Sequence, residues 1–251
     1  MQEVKVNNTT FFVNPSTDGY HECWKETASG KWEPESFIIL DRFLNSQKTF
    51  IDIGAWIGPL TLYAADKAKT VYAIEPDETA FAELTQNIAC NNNIKNKIIP
   101  IQECISDKND IVQFGNSKQW GNSGSSLLQG SGFNLDSNCD KNGNWKVSAS
   151  VKSTTLEEFI KTHNINDCNF IKIDTKGAEV MILPNIYNYI SKHKPILYLS
   201  IHTPFFQNIN EDLKNIITTL SLYDNIYDAF LNKINISDLY SRRGFYSIVC
   251  A

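Results

Sequence analysis

The sequence contains no apolar run approaching the ~18–20 residues that a membrane-spanning helix needs. The first residues, Met-Gln-Glu-Val-Lys-Val-Asn-Asn, carry no apolar secretory core, so a cytoplasmic location is expected. CxxC pairs are missing too. The six cysteines (Cys23, Cys90, Cys104, Cys139, Cys168 and Cys250) are scattered without zinc-ligand spacing and are expected to be reduced thiols. There is no basic excess. Lys and Arg number 23 against 28 Asp and Glu, a formal net charge of −5, which lacks the electrostatic footprint of a nucleic-acid binder. No internal repeat is found. The chain does have the material for a core, since 42% of its 251 residues are hydrophobic, and this excludes a wholly disordered polymer.

The middle of the chain alternates strand-like and helix-like segments. Phe50-Ile51-Asp52-Ile53 is a short apolar run that ends at Gly54, and Val71-Tyr72-Ala73-Ile74-Glu75 is a second that stops at Pro76. Leu60, Tyr63, Ala64 and Ala68 recur at helical spacing between them, as do Phe81, Leu84, Ile88 and Ala89 afterwards. Residues 98–105 read as a third strand with an irregular start at Pro100. Strands are expected at 170–174, 196–202, 226–230 and 245–249, with helices over 179–190 and 211–222. Such alternation predicts an α/β fold with a mostly parallel sheet and helices on both faces. Residues 1–35 lack periodicity and read as an N-terminal cap, leaving 36–251 as the main domain. Residues 115–146, rich in Gly, Ser and Asn, read as a long loop near the active site.

The segment Asp52-Ile53-Gly54-Ala55-Trp56-Ile57-Gly58 carries the most chemistry. It joins a strand end to a helix start, where glycines let the backbone turn tightly beside a ligand. A dinucleotide fingerprint reads Gly-x-Gly-x-x-Gly, and its middle glycine makes room for a pyrophosphate. Here that glycine is absent, and the carboxylate of Asp52 would repel a diphosphate while attracting an ammonium group. Glu75 follows Gly54 by 21 positions, at the end of the next strand, where an acidic side chain accepts hydrogen bonds from ribose hydroxyls. The combination fits a nucleoside that bears an amine and no pyrophosphate, as in S-adenosylmethionine. The cofactor-binding candidates are Glu33, Asp52, Gly54, Ala55, Gly58, Glu75, Pro76, Glu103, Cys104 and Asp174, with Asp107 an alternative to Glu103 beside the adenine and Trp32 over the methionine end.

These residues resemble the FkbM-type S-adenosylmethionine-dependent methyltransferases. The resemblance rests on Trp32-Glu33-Pro34, on residues 50–58, on Ala73-Ile74-Glu75-Pro76 and on residues 154–159. It also rests on the more specific block Phe170-Ile171-Lys172-Ile173-Asp174-Thr175-Lys176-Gly177-Ala178-Glu179 and on Ser200-Ile201-His202. It implies a Rossmann-like class I methyltransferase fold, seven-stranded with an antiparallel last strand, and methyl transfer, commonly to a hydroxyl of a sugar or polyketide. One departure stands out: the family usually carries Val-Glu after the strand-end aspartate, and this chain has Thr175-Lys176.

Open α/β sheets bind ligands at the carboxyl ends of their strands, where Asp52, Glu75, Asp174 and His202 are all expected. Methylating an alcohol requires a proton acceptor or a metal that lowers the hydroxyl pKa. Imidazoles titrate near neutrality, so His202 is the candidate base. Asp174 is a candidate for holding the acceptor hydroxyl, orienting His202 or joining it as a ligand of a divalent metal. Lys172 and Glu179 complete the catalytic candidates; Lys172 shares a sheet face with Asp174 and is expected to pair with an acid or reach into the site. Lys176 is expected to be solvated or to meet an anionic acceptor, and Tyr20, Trp24, Trp120 and Trp145 are acceptor-stacking candidates. The leading expectation is an O-methyltransferase acting on a carbohydrate, nucleotide sugar or glycan. The alternatives are a nucleic-acid or other small-molecule hydroxyl as acceptor, and an inactive S-adenosylmethionine-binding module.

Overall fold

The computed structural model describes residues 1–14, 20–116, 118–127 and 145–251. The readings made for residues 117 and 128–144, Cys139 among them, lie outside the described residues. Strands β1 (Gln2–Val6) and β2 (Thr9–Val13) form an antiparallel hairpin, followed by helices α1 (His21–Ala28) and α2 (Pro34–Phe43). Then come β3 (Thr49–Ile53), α3 (Pro59–Lys67), β4 (Thr70–Ile74), α4 (Glu78–Ala89), β5 (Ile98–Ile101), β6 (Cys104–Ser106), β7 (Asp110–Asn116) and β8 (Val147–Thr155). The chain continues through α5 (Leu156–Thr162), β9 (Cys168–Ile173), α6 (Glu179–Asn185), α7 (Tyr187–His193), β10 (Ile196–His202), α8 (Ile209–Leu220), β11 (Ile226–Asp228) and β12 (Phe245–Cys250).

The central sheet has seven strands in the order β11-β12-β10-β9-β3-β4-β5. Neighbours from β10 through β5 run parallel, and β12 is antiparallel to both β10 and β11. This is the mostly parallel, seven-stranded sheet with an antiparallel last strand that the resemblance implies. The strand order reverses between β3 and β9, so their carboxyl ends open a crevice at a topological switch point.

Side-chain alternation divides the core between the two faces. Phe50 and Phe170 point into one apolar cluster with Phe37, Leu62 and Tyr63, while Ile51, Ile53, Ile171 and Ile173 point into the other with Ile182 and Leu197. The residues that alternate with these isoleucines are Asp52 and Lys172, and the β3–β9 register sets the two directly opposite each other. Two charged residues are thereby carried into the interior by strands whose other residues are mostly apolar.

Two expectations need correction, and one element carries no sequence signal. The strand expected over 98–105 is two strands in different sheets, because the chain leaves the central sheet after Ile101 and β6 joins a three-stranded sheet ordered β6-β8-β7. The single helix expected over 179–190 is two short ones, since Pro184 lacks an N–H and α6 ends one residue later. The β7–β8 ladder has no clear trace in the sequence: only two of the nine β8 residues are buried, and its Val-Ser-Ala-Ser-Val-Lys-Ser-Thr-Thr sequence has little apolar signal.

Candidate active site

At the switch point Gly54 adopts φ +81°, and its N–H and that of Ala55 both donate to the Ile74 carbonyl at 3.0 Å. A Cβ at Gly54 would collide with the carbonyl oxygen of Asp174, so the glycine lets the ends of β3 and β9 close against each other. Gly58 has a different task. At φ +98° it caps α3, and a Cβ there would stand 2.7 Å from Leu84 Cδ1. It packs the helix and does not line the cavity, unlike the other cofactor-binding candidates.

Beneath this turn lies a cavity of about 930 Å³, its open mouth included. Glu33, Asp52, Gly54, Ala55, Glu75, Pro76, Glu103, Cys104 and Asp174 line it together with Trp32, whereas Asp107 does not. Glu75 is buried at the end of β4, where its two carboxylate oxygens accept the backbone N–H groups of Trp56 and Asp77, each at 2.9 Å. Burial pushes its carboxyl up to about 7, against the pull of those two N–H donors. Each oxygen keeps a second lone pair, so the carboxylate retains the capacity to accept two more donors, as a vicinal diol requires. Glu103 is salt-bridged to Lys152, and burial raises the Cys104 thiol above its ordinary range.

Trp56 was not among the expected site residues. Its backbone sits at φ +51°, and its indole N–H donates to the Gly121 carbonyl at 2.8 Å. Tyr20 donates to the same carbonyl at 2.9 Å, and the Gly121 N–H donates to Asp77 Oδ2 at 2.8 Å. These bonds draw residues 121–125 across the cavity, and Asn122 and Ser123 enter its wall.

Asp52 is fully buried, with Thr61 Oγ1 donating to one oxygen at 2.7 Å and Lys172 Nζ standing 3.1 Å from the other. The ammonium that this carboxylate attracts here is the chain's own. Lys172 also stands 3.9 Å from Asp174 and donates to the Gly54 carbonyl at 3.3 Å. Burial alone would drive Lys172 toward neutrality; Asp52, Asp174 and Glu33 more than reverse this and raise its pKa. Glu33 goes up as well, through burial and then the charge of Asp174. Asp174 goes the other way: burial opposes its ionisation, but Lys176, Lys172 and His202 together hold it well below the usual carboxylate range.

A second, wider cavity of about 1410 Å³ with its mouth adjoins the first, and Glu33, Asn122, Ser123, Asp174 and Lys176 line both. His202, at the end of β10, lies in its wall. Glu179 Oε1 accepts the His202 backbone N–H at 2.7 Å and stands 3.1 Å from Nδ1. This carboxylate favours the proton on Nδ1 and leaves Nε2 as the acceptor. Lys176 Nζ stands 3.1 Å from Nε2 and 2.7 Å from Asp174 Oδ1. Glu179 is fully buried and lines neither cavity. Its carboxylate stands behind His202, away from both cavities. Lys176, expected to be solvated, is drawn inward by Asp174 and His202 instead.

The aromatic residues of the second cavity are not the expected ones. Trp24 is buried against Phe11, Trp120 stacks on Phe114 at 6.1 Å, and Tyr20 meets Trp56 edge-on; neither these nor Trp145 line either cavity. Phe205, Phe230, Phe245 and Tyr246 do. Phe205 and Phe245 stack at 6.1 Å, and Phe230 and Phe245 stay 70% and 66% exposed, an unusual degree of exposure for two such rings at one rim. Nothing in the sequence around these phenylalanines marks them, because their proximity depends on β10, β11 and β12 being neighbours. Asp174 and His202, the metal-ligand candidates, are bridged by the Lys176 ammonium, and no group of three or more His, Cys, Asp or Glu among the described residues is arranged to hold a metal.

Comparison with known proteins agrees with this architecture. A family model described as a methyltransferase FkbM domain matches residues 52–227. A methyltransferase FkbM from Methylobacillus flagellatus is similar in structure, with TM-score 0.51 and 18% identity over 82% of this chain. The chain spans only 44% of that protein's length. A precorrin-6y C5,15-methyltransferase from Geobacter metallireducens aligns over 96% of this chain and 93% of its own, with 9% identity and TM-score 0.47. A putative methyltransferase from Streptococcus mutans, solved with S-adenosylhomocysteine, aligns over 86% and 94% with 13% identity and TM-score 0.45. No curated protein sequence matches the chain. The fold is that of the class I methyltransferases.

Proposed function

The chain belongs to the FkbM methyltransferase family, and from that premise we propose that it methylates a hydroxyl group of a carbohydrate, free, nucleotide-linked or within a glycan. The observation that carries this reading is the character of the second cavity. It combines exposed aromatic rings with a dense set of hydrogen-bonding side chains, among them Ser200, Ser247, Asp228 and Arg242. Sugars present C–H faces that pack on aromatic rings and hydroxyls that need polar partners, so both features are matched. The Tyr246 hydroxyl is buried and finds no partner among the described residues. Four carboxyl groups (Glu33, Glu35, Asp174 and Asp228) against Lys118, Lys176 and Arg242 do not favour a polyanionic nucleic-acid strand.

The first cavity takes S-adenosylmethionine, which supplies a methyl group on a sulfonium. Its residues fit that ligand. Glu75 has two lone pairs to offer a ribose, and Asp52, Asp174 and Glu33 outnumber Lys172 and Lys176 near the expected methionine end. His202 Nε2 is the proton acceptor for the incoming hydroxyl, and Glu179 stabilises the imidazolium that results.

The test is incubation with methyl-labelled S-adenosylmethionine and a panel of sugars, nucleotide sugars and glycans, beside RNA and protein. The expected result is label in an ether linkage on a sugar. Label on RNA or protein with every sugar unlabelled rejects the proposal.

A further inference from the structure

We propose that Lys176 supplies the positive charge of the acceptor site, so that methyl transfer proceeds without a divalent metal. The proposal rests on the hydroxyl-methylation reading and concerns how that hydroxyl is activated. Asp174 and His202 would be the ligands of any metal at this site, and the Lys176 ammonium already bridges them, 2.7 Å from Asp174 Oδ1 and 3.1 Å from His202 Nε2. The imidazole is turned for this contact. With Nδ1–H given to Glu179, Nε2 carries a lone pair and accepts from the ammonium.

The placement of Lys176 is enforced by its backbone. The residue sits at φ +49°, a left-handed conformation that a non-glycine residue adopts only when its surroundings hold it there. Ser126 Oγ donates to its carbonyl at 2.7 Å, and the next N–H, from Gly177, donates to Glu179 Oε2 at 2.9 Å. One carboxylate, Glu179, thus anchors both His202 and the turn that presents Lys176. Lys176 also borders both cavities, so its charge lies where donor and acceptor meet.

An ammonium has three N–H donors, and Asp174 and His202 take two. When a hydroxyl enters, its oxygen accepts an N–H from Lys176 and its proton passes to His202 Nε2, which gives up its bond to the lysine. The oxygen forms a bond to the methyl carbon as the carbon–sulfur bond breaks with its electron pair going to sulfur. An ether and a neutral thioether result, and the proton on His202 is released to water. The ammonium lowers the energy of the developing alkoxide as a Lewis acid would.

Two measurements test this. The first needs no acceptor: Co2+ is titrated into wild type and K176E, followed by calorimetry and visible absorption. K176E adds a carboxylate to Asp174 and His202 and is expected to bind Co2+ at least a hundredfold more tightly than wild type. Tight Co2+ binding to wild type that D174N abolishes overturns the proposal. The second uses whichever acceptor the panel labels, sugar or not. Chelator-stripped wild type is expected to keep its rate, and K176M to lose a hundredfold or more in kcat while its affinity for S-adenosylhomocysteine stays within threefold. A rate that collapses on chelation and returns with Mg2+, or K176M as fast as wild type, overturns it. Because the Co2+ titration is independent of acceptor identity, an error in the carbohydrate assignment leaves it decisive.

Discussion

Lowering the pH from 8 to 6 probes Glu75. In the free protein this buried carboxyl titrates at about 7, whereas an exposed glutamate titrates near 4.5. The difference corresponds to about 3 kcal/mol. The sign is destabilising. A carboxyl with a raised folded-state value binds more protons folded than unfolded between pH 4.5 and 7, so its contribution favours folding at low pH and fades as pH rises through that window. A bound ribose reverses the preference, because two hydroxyl donors favour the ionised form and a protonated carboxyl cannot accept both. Affinity for S-adenosylhomocysteine should therefore fall about tenfold between pH 8 and pH 6. Calorimetry at pH 6 in two buffers of different ionisation enthalpy should show close to one proton released per ligand bound. E75Q should bind weakly with a flat profile. Glu33, which borders the same cavity and is also raised, is the control, and E33Q should keep the slope. A flat wild-type profile, or an E75Q profile as steep as wild type, would refute the reasoning.

Removing Lys172 should unfold the protein more easily. At 3.1 and 3.9 Å its attractions to Asp52 and Asp174 are about 5 and 4 kcal/mol at an effective dielectric of about 20. Most of this offsets desolvation, and breaking such a buried group costs about 3–5 kcal/mol net. K172M should lower Tm by roughly 10 °C, with D52N/K172M recovering part of the loss; an unchanged Tm in a thermal melt contradicts the pairing. G54A meets both a positive φ and the Asp174 carbonyl, so denaturant melts should show a loss above about 3 kcal/mol or no soluble protein. A G54A protein with native stability would mean that the strand ends do not need to close. E179Q should lower kcat tenfold or more while the acceptor KM stays within about threefold, since Glu179 acts only through His202 and the turn beneath it. Equal changes in both constants would place it in binding instead.

How much was legible in the sequence varies by residue in a consistent way. That Asp52, Gly54 and Glu75 line one cavity is legible because strand, turn and spacing are properties of one short stretch of chain. His202 is legible as a strand end, whereas the burial of Glu179 and its hydrogen bond to the His202 backbone appear only in the folded chain. Lys176 reads in the sequence as a solvated loop lysine or a partner for an anionic acceptor, and only the approach of β10 to β9 brings His202 within reach of it. The rim phenylalanines carry no sequence signal for the same reason: they meet only where β10, β11 and β12 are neighbours.

Residue order alone determined the alternation of strands and helices, the mostly parallel sheet that this alternation predicts and the acidic, glycine-bearing turn, because periodicity and turn chemistry act over a few neighbouring residues. Tertiary structure decided which charge meets which. Asp52 and Lys172 are 120 residues apart and face each other only through the β3–β9 register, a one-residue slip of which would send Lys172 to the opposite face. Burial then sets the strength and direction of each ionisation, since an ammonium beside two carboxylates in a dry interior has no equivalent in an extended chain.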